Sequence, residues 1–212
     1  MGRHTQNRRK RVIICFGPMR SGSTLAFNAT RMLAPDRQIM KTHEAMYRYW
    51  ARPHVVTVRD PYDSVVSAIR RWGHAITDET VEREAAELFQ SGFRSRHKVP
   101  WWALVLKYED FYANLDGLLD QIARYLKIPV PEAVRSRFKE EFNIERVRQV
   151  CADRPFHEWD HETHIHGSHV SASLGRPGES KILTEAQRRT IDDILRLDHA
   201  RVVDSHLAKK RF

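Results

Sequence analysis

The sequence of 212 residues predicts a single α/β domain with a mostly parallel central sheet flanked by helices. Four short apolar segments, rich in β-branched residues, predict buried parallel strands. These segments are residues 12–16, 38–41, 55–58 and 103–107. Segments with helical periodicity fill the intervals between them, and this alternation is typical of a parallel sheet covered by helices.

Helices are predicted where apolar residues recur every three or four positions and where capping residues precede them. The first follows a loop at 17–24, and the second begins at Asp60-Pro61, where an N-cap precedes a first-turn proline. Further helices are predicted around 81–89, 115–126 and 131–142, and a last one begins at Thr184, where T-E-A-Q forms a capping box. Residues 152–181 are rich in His, Ser and Gly and predict a lid loop over a site.

The chain is basic, with 36 Lys and Arg against 27 Asp and Glu and a formal net charge of +9. This charge favours anionic partners such as nucleotides, polyanions or acidic membranes. We expect a disordered basic tail at 1–10, a domain at 11–207 and a basic C-terminal end at 208–212. Basic patches interleaved with aromatic residues are absent from the sequence, so no nucleic-acid partner is expected.

The chain has two cysteines, Cys15 and Cys151, and neither belongs to a CxxC pair. The sequence therefore predicts neither a disulfide framework nor a thiolate metal site, and it favours a reducing compartment. No apolar segment approaches the ~18–20 residues that span a bilayer, and 12–16 is too short for the apolar part of a signal peptide. We expect a cytoplasmic protein without a membrane span, whose oligomeric state the sequence does not indicate.

The loop GPMRSGST, residues 17–24, lies between the first strand and the first helix. Gly17 and Gly22 have the spacing of a phosphate-binding P-loop, but Ser23 stands where an ATP or GTP site requires Lys. Backbone N–H groups and the helix dipole make such a turn a cradle for an anion. The loop also supplies one cation and three hydroxyl donors: Arg20, Ser21, Ser23 and Thr24. A plain strand-to-helix turn capped by Ser or Thr is the alternative.

Arg59 follows the third predicted strand, and Ser67 lies two turns into the next helix. Carboxyl ends of strands face the ligand crevice of an α/β sheet, so Arg59 is placed to bind a phosphate with Ser67 as a second donor. The alternative is that Arg59 pairs with Asp60 or Asp63 and that Ser67 faces solvent.

The segment KTHE, residues 41–44, ends the second predicted strand. A Lys, a His and a Glu at the carboxyl end of a strand suit a general base with electrostatic support. The alternative is a histidine that is merely solvated on a loop.

These segments, in this order, resemble the motifs of the sulfotransferases that use 3′-phosphoadenosine 5′-phosphosulfate (PAPS) as donor. PMRSGST resembles that family's 5′-phosphosulfate loop, and RDPYDSVVS resembles its 3′-phosphate motif. KTH, KYED and GRPGESKILT are similar to three further family segments, and the resemblance runs from about residue 12 to residue 184. It implies a P-loop-like sheet related to that of nucleotide kinases, with no metal ion and no ATP. The absence of the P-loop Lys at position 23 is then expected, because PAPS has no β- and γ-phosphates for that lysine to bind.

The resemblance also implies roles for individual residues in moving a sulfuryl group to a hydroxyl, or as second choice an amine, of a small molecule or sugar. His43 would take the proton from the acceptor, while Lys41 and Arg20 would stabilise charge on the leaving phosphate. The residues assigned to the 5′-phosphosulfate are Arg20, Ser21, Gly22, Ser23 and Thr24. Those assigned to the 3′-phosphate are Arg59 and Ser67.

Several positions depart from the family's pattern. Leu25 stands where many members carry an aromatic residue near the adenine, and Ser180 stands where they carry Trp. Ser173-Leu174 replace an Arg-Lys pair, and we expect Arg176 to substitute as a phosphate ligand. Glu44 is an alternative base, because some carbohydrate-directed relatives use a Glu.

The segment HEWDHETHIHGSH, residues 157–169, holds five histidines at spacings that suit zinc, but no cysteine accompanies them. We expect a polar lid at this position and no metal site. The acceptor pocket is expected between 70–100 and the lid, with an aromatic wall of Trp72, Phe89, Phe93, Trp101 and Trp102. Such a wall suits sugars and phenols alike, so the sequence does not identify the acceptor.

Two other functions remain open on the sequence. One is a P-loop kinase-like phosphotransferase, in which Arg20 partly replaces the Lys, although no clear Walker B Asp ends a strand. The other is a non-catalytic protein that binds polyanions through its basic ends.

Overall fold

A computed structural model describes residues 12–44, 47–171 and 174–197. Its four strands are β1 (Val12–Phe16), β2 (Gln38–Thr42), β3 (His54–Val58) and β4 (Leu104–Lys107). The helices of the first half are α1 (Ser23–Leu33), α2 (Pro61–Arg71) and α3 (Asp78–Leu88). Those that follow β4 are α4 (Tyr108–Phe111), α5 (Leu115–Leu126), α6 (Glu132–Phe142), α7 (Ile144–Ala152) and α8 (Glu185–Leu195). The described residues also form a π-helical turn at Phe89–Phe93 and 3-10 turns at Tyr47–Tyr49, Arg96–Lys98 and Glu179–Ile182.

The four strands form one parallel sheet in the order β2-β1-β3-β4, which confirms the predicted α/β class. The register places Cys15 beside Lys41, and it places Phe16 between Thr42 on one side and Val56 on the other. The carboxyl ends of β1, β2 and β3 therefore lie at one edge of the sheet. The loops that leave this edge carry the candidate site residues, as expected for ligand binding in an α/β sheet.

One face of the sheet is covered by α1, α5 and α6. Ile13, Cys15, Val55 and Leu106 point to this face and are almost fully buried against these helices. At about 25 cal/mol per Å² of apolar surface, burial of these side chains is the main force that holds the helices on the sheet. The opposite face carries a smaller cluster of Ile14, Phe16 and Val56 with Val99, so alternate residues of each strand enter separate cores.

A further apolar cluster joins α2, α3 and α8. Val65 and Ile69 of α2 pack against Val81 of α3 and Ile191 of α8, and all four side chains are fully buried. Two groups of helices thus flank the carboxyl edge of the sheet. One consists of α1, α6 and α7, and the other of α2 and α3.

The predicted element boundaries hold to within about three residues. The sequence did not predict α7 as a helix, although Asn143 caps it by accepting a hydrogen bond from the backbone N–H of Arg146. Val147 and Cys151, four residues apart, bury its inner face. The predicted tails at 1–10 and 208–212 lie outside the described residues. Among the described helices, none combines the length and the apolar character needed to cross a bilayer.

Candidate active site

The loop after β1 leads into α1 through Gly22, which has a left-handed backbone with φ 79°. A Cβ at this position would stand 2.7 Å from Cδ2 of Tyr108, so a side chain would not fit. No side chain caps the amino end of α1, and its first turn carries no acidic residue. The first N–H groups of this helix therefore have no side-chain cap, which leaves them suited to bind an anion.

Ser21 serves the shape of this loop. Its hydroxyl donates to the carbonyl oxygen of Pro18 at 2.6 Å and lies 2.7 Å from Oγ1 of Thr57 on β3. The side chain is 1% exposed and does not line the cavity described below. Ser21 thus ties the loop to the sheet, and its hydroxyl is not among the groups that face a ligand.

Lys41 lies at the carboxyl end of β2, where its Nζ donates to Oγ1 of Thr24 at 2.8 Å. Because the lysine fills an acceptor site of this hydroxyl, the proton of Thr24 remains available to a ligand. Burial lowers the pKa of Lys41 to about 8, so the ammonium form still predominates at pH 7. The ammonium also lies 5.6 Å from the ring centroid of Trp159, at a distance typical of a cation–π contact.

His43 follows β2, and its Nδ1 lies 2.7 Å from the carbonyl oxygen of Gly17. A carbonyl only accepts hydrogen bonds, so Nδ1 carries the proton and Nε2 presents its lone pair. Burial lowers the pKa of the imidazole; the bond to Gly17 opposes this shift, and the charge of Lys41 adds to it. The ring is therefore a neutral base at pH 7 with a fixed orientation. Gly92 packs so closely on this segment that a Cβ at position 92 would lie 2.2 Å from the His43 carbonyl oxygen.

Arg59 leaves β3 and is held by backbone carbonyls. Its Nη1 donates to Arg20 at 3.2 Å, and its Nη2 donates to Gly175 at 3.1 Å and to Arg176 at 3.2 Å. The guanidinium lies 4.4 Å from the ring centroid of Tyr108. Its Nε is buried without a hydrogen-bond partner among the described residues. Arg59 thus lies buried among backbone carbonyls, with one donor unused among the described residues.

The alternative pairing of Arg59 with a neighbouring carboxylate does not occur. Asp60 caps α2 by accepting from the backbone N–H of Asp63 at 2.9 Å. Asp63 accepts from the N–H groups of Gly178 at 2.6 Å and Ser180 at 2.8 Å. Both aspartates therefore organise backbone and leave Arg59 free of an ion pair.

Arg20 joins the loop to α2 and to the lid. Its Nε donates to Oγ of Ser67 at 3.2 Å, and its Nη1 donates to the carbonyl oxygen of His169 at 2.9 Å. Burial, together with the charges of Arg71 and Arg59, lowers the pKa of Arg20 to about 10, which leaves it charged at pH 7. Ser67 is fully buried and contacts Arg20, so it does not face solvent as the alternative expected.

These groups surround a cavity of about 370 Å³. Of the predicted site residues, those that line it are Arg20, Gly22, Ser23, Thr24, Lys41, His43 and Arg59. Those that do not line it are Ser21, Glu44, Ser67 and Arg176. Glu44 and Arg176 are exposed side chains, and Arg176 contributes only its carbonyl oxygen, to Arg59. The geometry thus brings most of the predicted residues together, and it places His43 in the cavity wall but not Glu44.

Residues of the histidine-rich segment line this cavity. Trp159 and His166 pair as an antiparallel bridge and both line the cavity, together with His169. Burial, with the charges of Arg71 and Arg20, lowers the pKa of His166 to about 4, so its ring is neutral at pH 7. Across residues 12–44, 47–171 and 174–197 no group of three or more His, Cys, Asp or Glu residues is placed to hold a metal ion.

The expected aromatic wall of the acceptor pocket is absent from the cavity that holds His43. Phe93 and Trp101 line a second cavity of about 490 Å³, which reaches Arg59 from the other face of the sheet. Trp72 is partly exposed and packs against Phe156 at 5.2 Å between ring centroids. The prediction grouped these aromatic residues because they lie near one another in the sequence, but the direction of each side chain depends on tertiary packing.

Sequence reasoning did not name several side chains that line the cavity, among them Asn28, Arg71, Glu87 and Phe142. Arg71 could have been found, because it follows Ser67 by one helical turn and therefore lies on the same side of α2. Asn28, Glu87 and Phe142 have no comparable signal.

Comparison with known proteins gives a result for the fold alone. No protein-family model matches the sequence, and no curated protein matches it. Among solved structures, the chain is similar to mouse sulfotransferase SULT7A1 complexed with PAP, with a TM-score of 0.59, 14% identity and coverage of 88% of this chain and 83% of that one. It is also similar to retinol dehydratase in complex with androsterone and the inactive cofactor PAP, with a TM-score of 0.60, 15% identity and coverage of 89% and 80%. The chain therefore has the fold of the PAPS-dependent sulfotransferases.

Proposed function

We propose that this protein is a sulfotransferase that moves the sulfuryl group of PAPS to a hydroxyl group of a small molecule or sugar. The observation that carries the proposal is the meeting of His43, Lys41, Arg59 and the uncapped end of α1 in one cavity. A neutral base, a cation and an anion cradle within one site are what sulfuryl transfer to a hydroxyl requires. The PAP-bound structures with the same fold support this choice of donor.

The residues present fit a phosphosulfate. The N–H groups of α1 and the proton of Thr24 are donors for the 5′-phosphosulfate, and Lys41 supplies a charge beside them. The buried Nε of Arg59, which lacks a partner, suits the 3′-phosphate. We assign Ser67 to the 3′-phosphate as well, which requires that Arg20 release its hydroxyl when the donor binds. Arg176 remains a proposed phosphate ligand, and its exposed side chain would have to rotate to reach the site.

The adenine of the donor would find apolar contacts at the opposite wall. Leu25 of α1, Phe142 of α6, Ile144 and Val147 of α7 and Val170 of the lid all line the cavity. Leu25, Phe142 and Val147 belong to the cluster that packs on the α1 face of the sheet. An apolar slot of this kind binds the base by dispersion and water exclusion and does not need an aromatic residue at the position of Leu25.

In the proposed reaction the acceptor oxygen attacks sulfur while its proton passes to Nε2 of His43. The bond between sulfur and the 5′-phosphate oxygen breaks, and its electron pair stays on that oxygen. Lys41 and the donors of α1 stabilise the charge that develops there. The backbone bond from Nδ1 to Gly17 holds the imidazole in the tautomer that accepts the proton. The products are the sulfated acceptor and 3′,5′-adenosine bisphosphate (PAP).

A kinase-like phosphotransferase is less well supported by the residues that line the cavity. Magnesium-bound nucleotides are held through carboxylates and hydroxyls. Among the described residues that line the cavity, Glu87 alone carries a carboxylate, and its side chain is exposed. Ser23 also stands in place of the P-loop Lys.

Thermal unfolding in the presence of nucleotides separates these proposals. PAP at ~100 times its Kd should stabilise the protein by about 2.7 kcal/mol, whereas ATP with Mg²⁺ should give a smaller shift. Adenosine 5′-phosphosulfate, which lacks the 3′-phosphate, tests the role of Arg59. Arg59→Ala should weaken PAP by ~10- to 100-fold, with a smaller effect on adenosine 5′-phosphosulfate.

The control for this experiment is Arg137→Ala, which removes an exposed guanidinium of α6 that pairs with Glu141. It should leave both nucleotide affinities unchanged. Stabilisation by ATP with Mg²⁺ and none by PAP would contradict the proposed function. Equal losses for both adenosine ligands in Arg59→Ala would remove Arg59 from the 3′-phosphate site.

A further inference from the structure

The cavity contains a second group of polar residues that the proposed donor site does not use. Arg71 ends α2, Glu87 lies on α3 and Ser91 lies in the π-helical turn after it, and all three line the cavity. This wall belongs to the α2–α3 side, opposite the apolar slot of α1, α6 and α7. It also adjoins the base, because Gly92, the neighbour of Ser91, packs on the carbonyl oxygen of His43. An acceptor that reaches His43 would therefore contact this wall.

Arg71 is held in position without being neutralised. Its Nε and Nη2 donate to Oγ of Ser168 at 3.3 and 3.2 Å, and its guanidinium lies 4.7 Å from the ring centroid of Trp72. No ion pair within 4.0 Å and no hydrogen bond of Nη1 is formed with the described residues. Glu87 and Glu84 act on its charge from beyond ion-pair distance. Glu87 is exposed, so solvent screens its influence, and the buried Glu84 forms its ion pair with Arg83 at 3.2 Å. The planar guanidinium keeps donors for a further partner.

His166 completes the group through the same serine. Its Nδ1 lies 3.0 Å from Oγ of Ser168. Since two N–H groups of Arg71 occupy the lone pairs of this oxygen, the serine donates its own proton to Nδ1. The imidazole proton is then on Nε2, and no hydrogen bond among the described residues uses that atom. Arg71 and the Nε2–H of His166 are thus two oriented donors on one scaffold.

This group lies close to the proposed transfer centre. The His166 ring centroid is 4.9 Å from that of Trp159, over which the ammonium of Lys41 lies at 5.6 Å. On the other side, the His166 ring is 5.0 Å from that of His169, whose carbonyl oxygen binds Arg20. One residue, Trp159, therefore lies between His166 and Lys41, and one residue, His169, lies between His166 and Arg20.

We propose that Arg71 and the Nε2–H of His166 bind an oxyanion of the acceptor, so that the protein sulfates an anionic hydroxyl compound and not a neutral apolar one. This inference rests on the proposed sulfotransferase function. A carboxylate or a phosphate ester would satisfy both donors, and a fork of two N–H donors favours such planar or multi-oxygen anions. Glu87 and Ser91 would serve the remaining hydroxyls of a sugar-like acceptor. The aromatic rings that would suit a phenol line the other cavity.

Calorimetric binding of acceptors to the protein saturated with PAP tests this inference without relying on turnover. The probes are methyl glucuronide, its neutral counterpart methyl glucoside, glucose 6-phosphate and 4-nitrophenol. The wild type should bind methyl glucuronide or glucose 6-phosphate at least ~10-fold more tightly than methyl glucoside and 4-nitrophenol, and the comparison of the two anions distinguishes carboxylate from phosphate. Label transfer from PAPS to the same four compounds should follow the same order.

Arg71→Gln should abolish this preference while leaving the affinity for PAP within ~3-fold of the wild type. The matched control, Arg137→Gln, makes the same chemical change on the surface of α6 and should keep the preference. Equal binding of methyl glucuronide, methyl glucoside and glucose 6-phosphate by the wild type would overturn the inference, as would tighter binding of 4-nitrophenol. A tenfold loss of PAP affinity in Arg71→Gln would also overturn it, because Arg71 would then be a donor ligand. Failure of the wild type to bind PAP at all is a distinct result, which contradicts the proposed function itself.

Discussion

Asp63 holds the segment that lies against Arg59, so its substitution should loosen the donor site without removing a side chain from the cavity. Its two carboxylate oxygens accept from the N–H groups of Gly178 at 2.6 Å and Ser180 at 2.8 Å. The side chain is 2% exposed, and a buried hydrogen bond to a charged group contributes about 1.5–3 kcal/mol. Asp63→Asn keeps one accepting oxygen and turns an NH₂ group toward the other N–H. It should therefore lower the free energy of local opening by about 1.5–3 kcal/mol.

Amide hydrogen exchange measures this effect directly. A change of about 1.5–3 kcal/mol corresponds to exchange at Gly178 and Ser180 that is roughly 10- to 150-fold faster. The affinity for PAP should fall in the same direction, because the carbonyl groups that hold Arg59 belong to the same segment. Asp120→Asn is the matched control, since Asp120 pairs with Arg135 at the surface of α5. Unchanged exchange at both amides in Asp63→Asn would refute the reasoning.

Three further substitutions test the packing and the electrostatics of the site. Gly92→Ala should cost about 1–3 kcal/mol more in urea unfolding than Gly73→Ala, and lower kcat, because both positions have positive φ but only Gly92 meets the His43 carbonyl; equal costs would contradict the clash. In the wild type, the pH profile of kcat/KM should have an alkaline limb near pH 8, set by Lys41, and an acid limb below about pH 6.5, set by His43. Lys41→Arg should move the alkaline limb to higher pH and leave the acid limb in place. An alkaline limb that does not move would belong to another group. Phe138→Ala, in the fully buried core, should lower the free energy of unfolding by about 3–5 kcal/mol in denaturant titration; a loss under 1 kcal/mol would show that the core of α6 collapses to fill the space.

The sheet was predictable because its two central strands, β1 and β3, are buried on both faces and so appear as continuous apolar runs. The segments at 12–16 and 55–58 show this most clearly, and both are strands. The helix α7 was missed, although Asn143 offers an N-cap and Val147 with Cys151 offers helical spacing. These signals span few residues and directly follow α6, so the sequence pattern did not distinguish α7 from α6 as a separate helix.

The candidate site was predictable where the backbone decides the geometry. Gly22, Lys41, His43 and Arg59 sit at carboxyl ends of parallel strands or in the loop that follows, and such positions converge in any sheet of this class. The roles of Ser21 and Ser67 were not predictable in the same way. Their hydroxyls bind partners 36 and 47 residues away along the chain, and no local pattern specifies such contacts.

The measurement that tests the central claim most directly is transfer of labelled sulfuryl from PAPS by the wild type and by His43→Asn. The Asn side chain can keep the hydrogen bond to the Gly17 carbonyl oxygen but cannot act as a base, so the loop should stay in place. We predict that the wild type forms sulfated acceptor and PAP in equal amounts. His43→Asn should lower kcat by ~10²-fold or more with the affinity for PAP unchanged, whereas Glu44→Gln should keep full activity. Undiminished transfer by His43→Asn, or a loss confined to Glu44→Gln, would contradict the account.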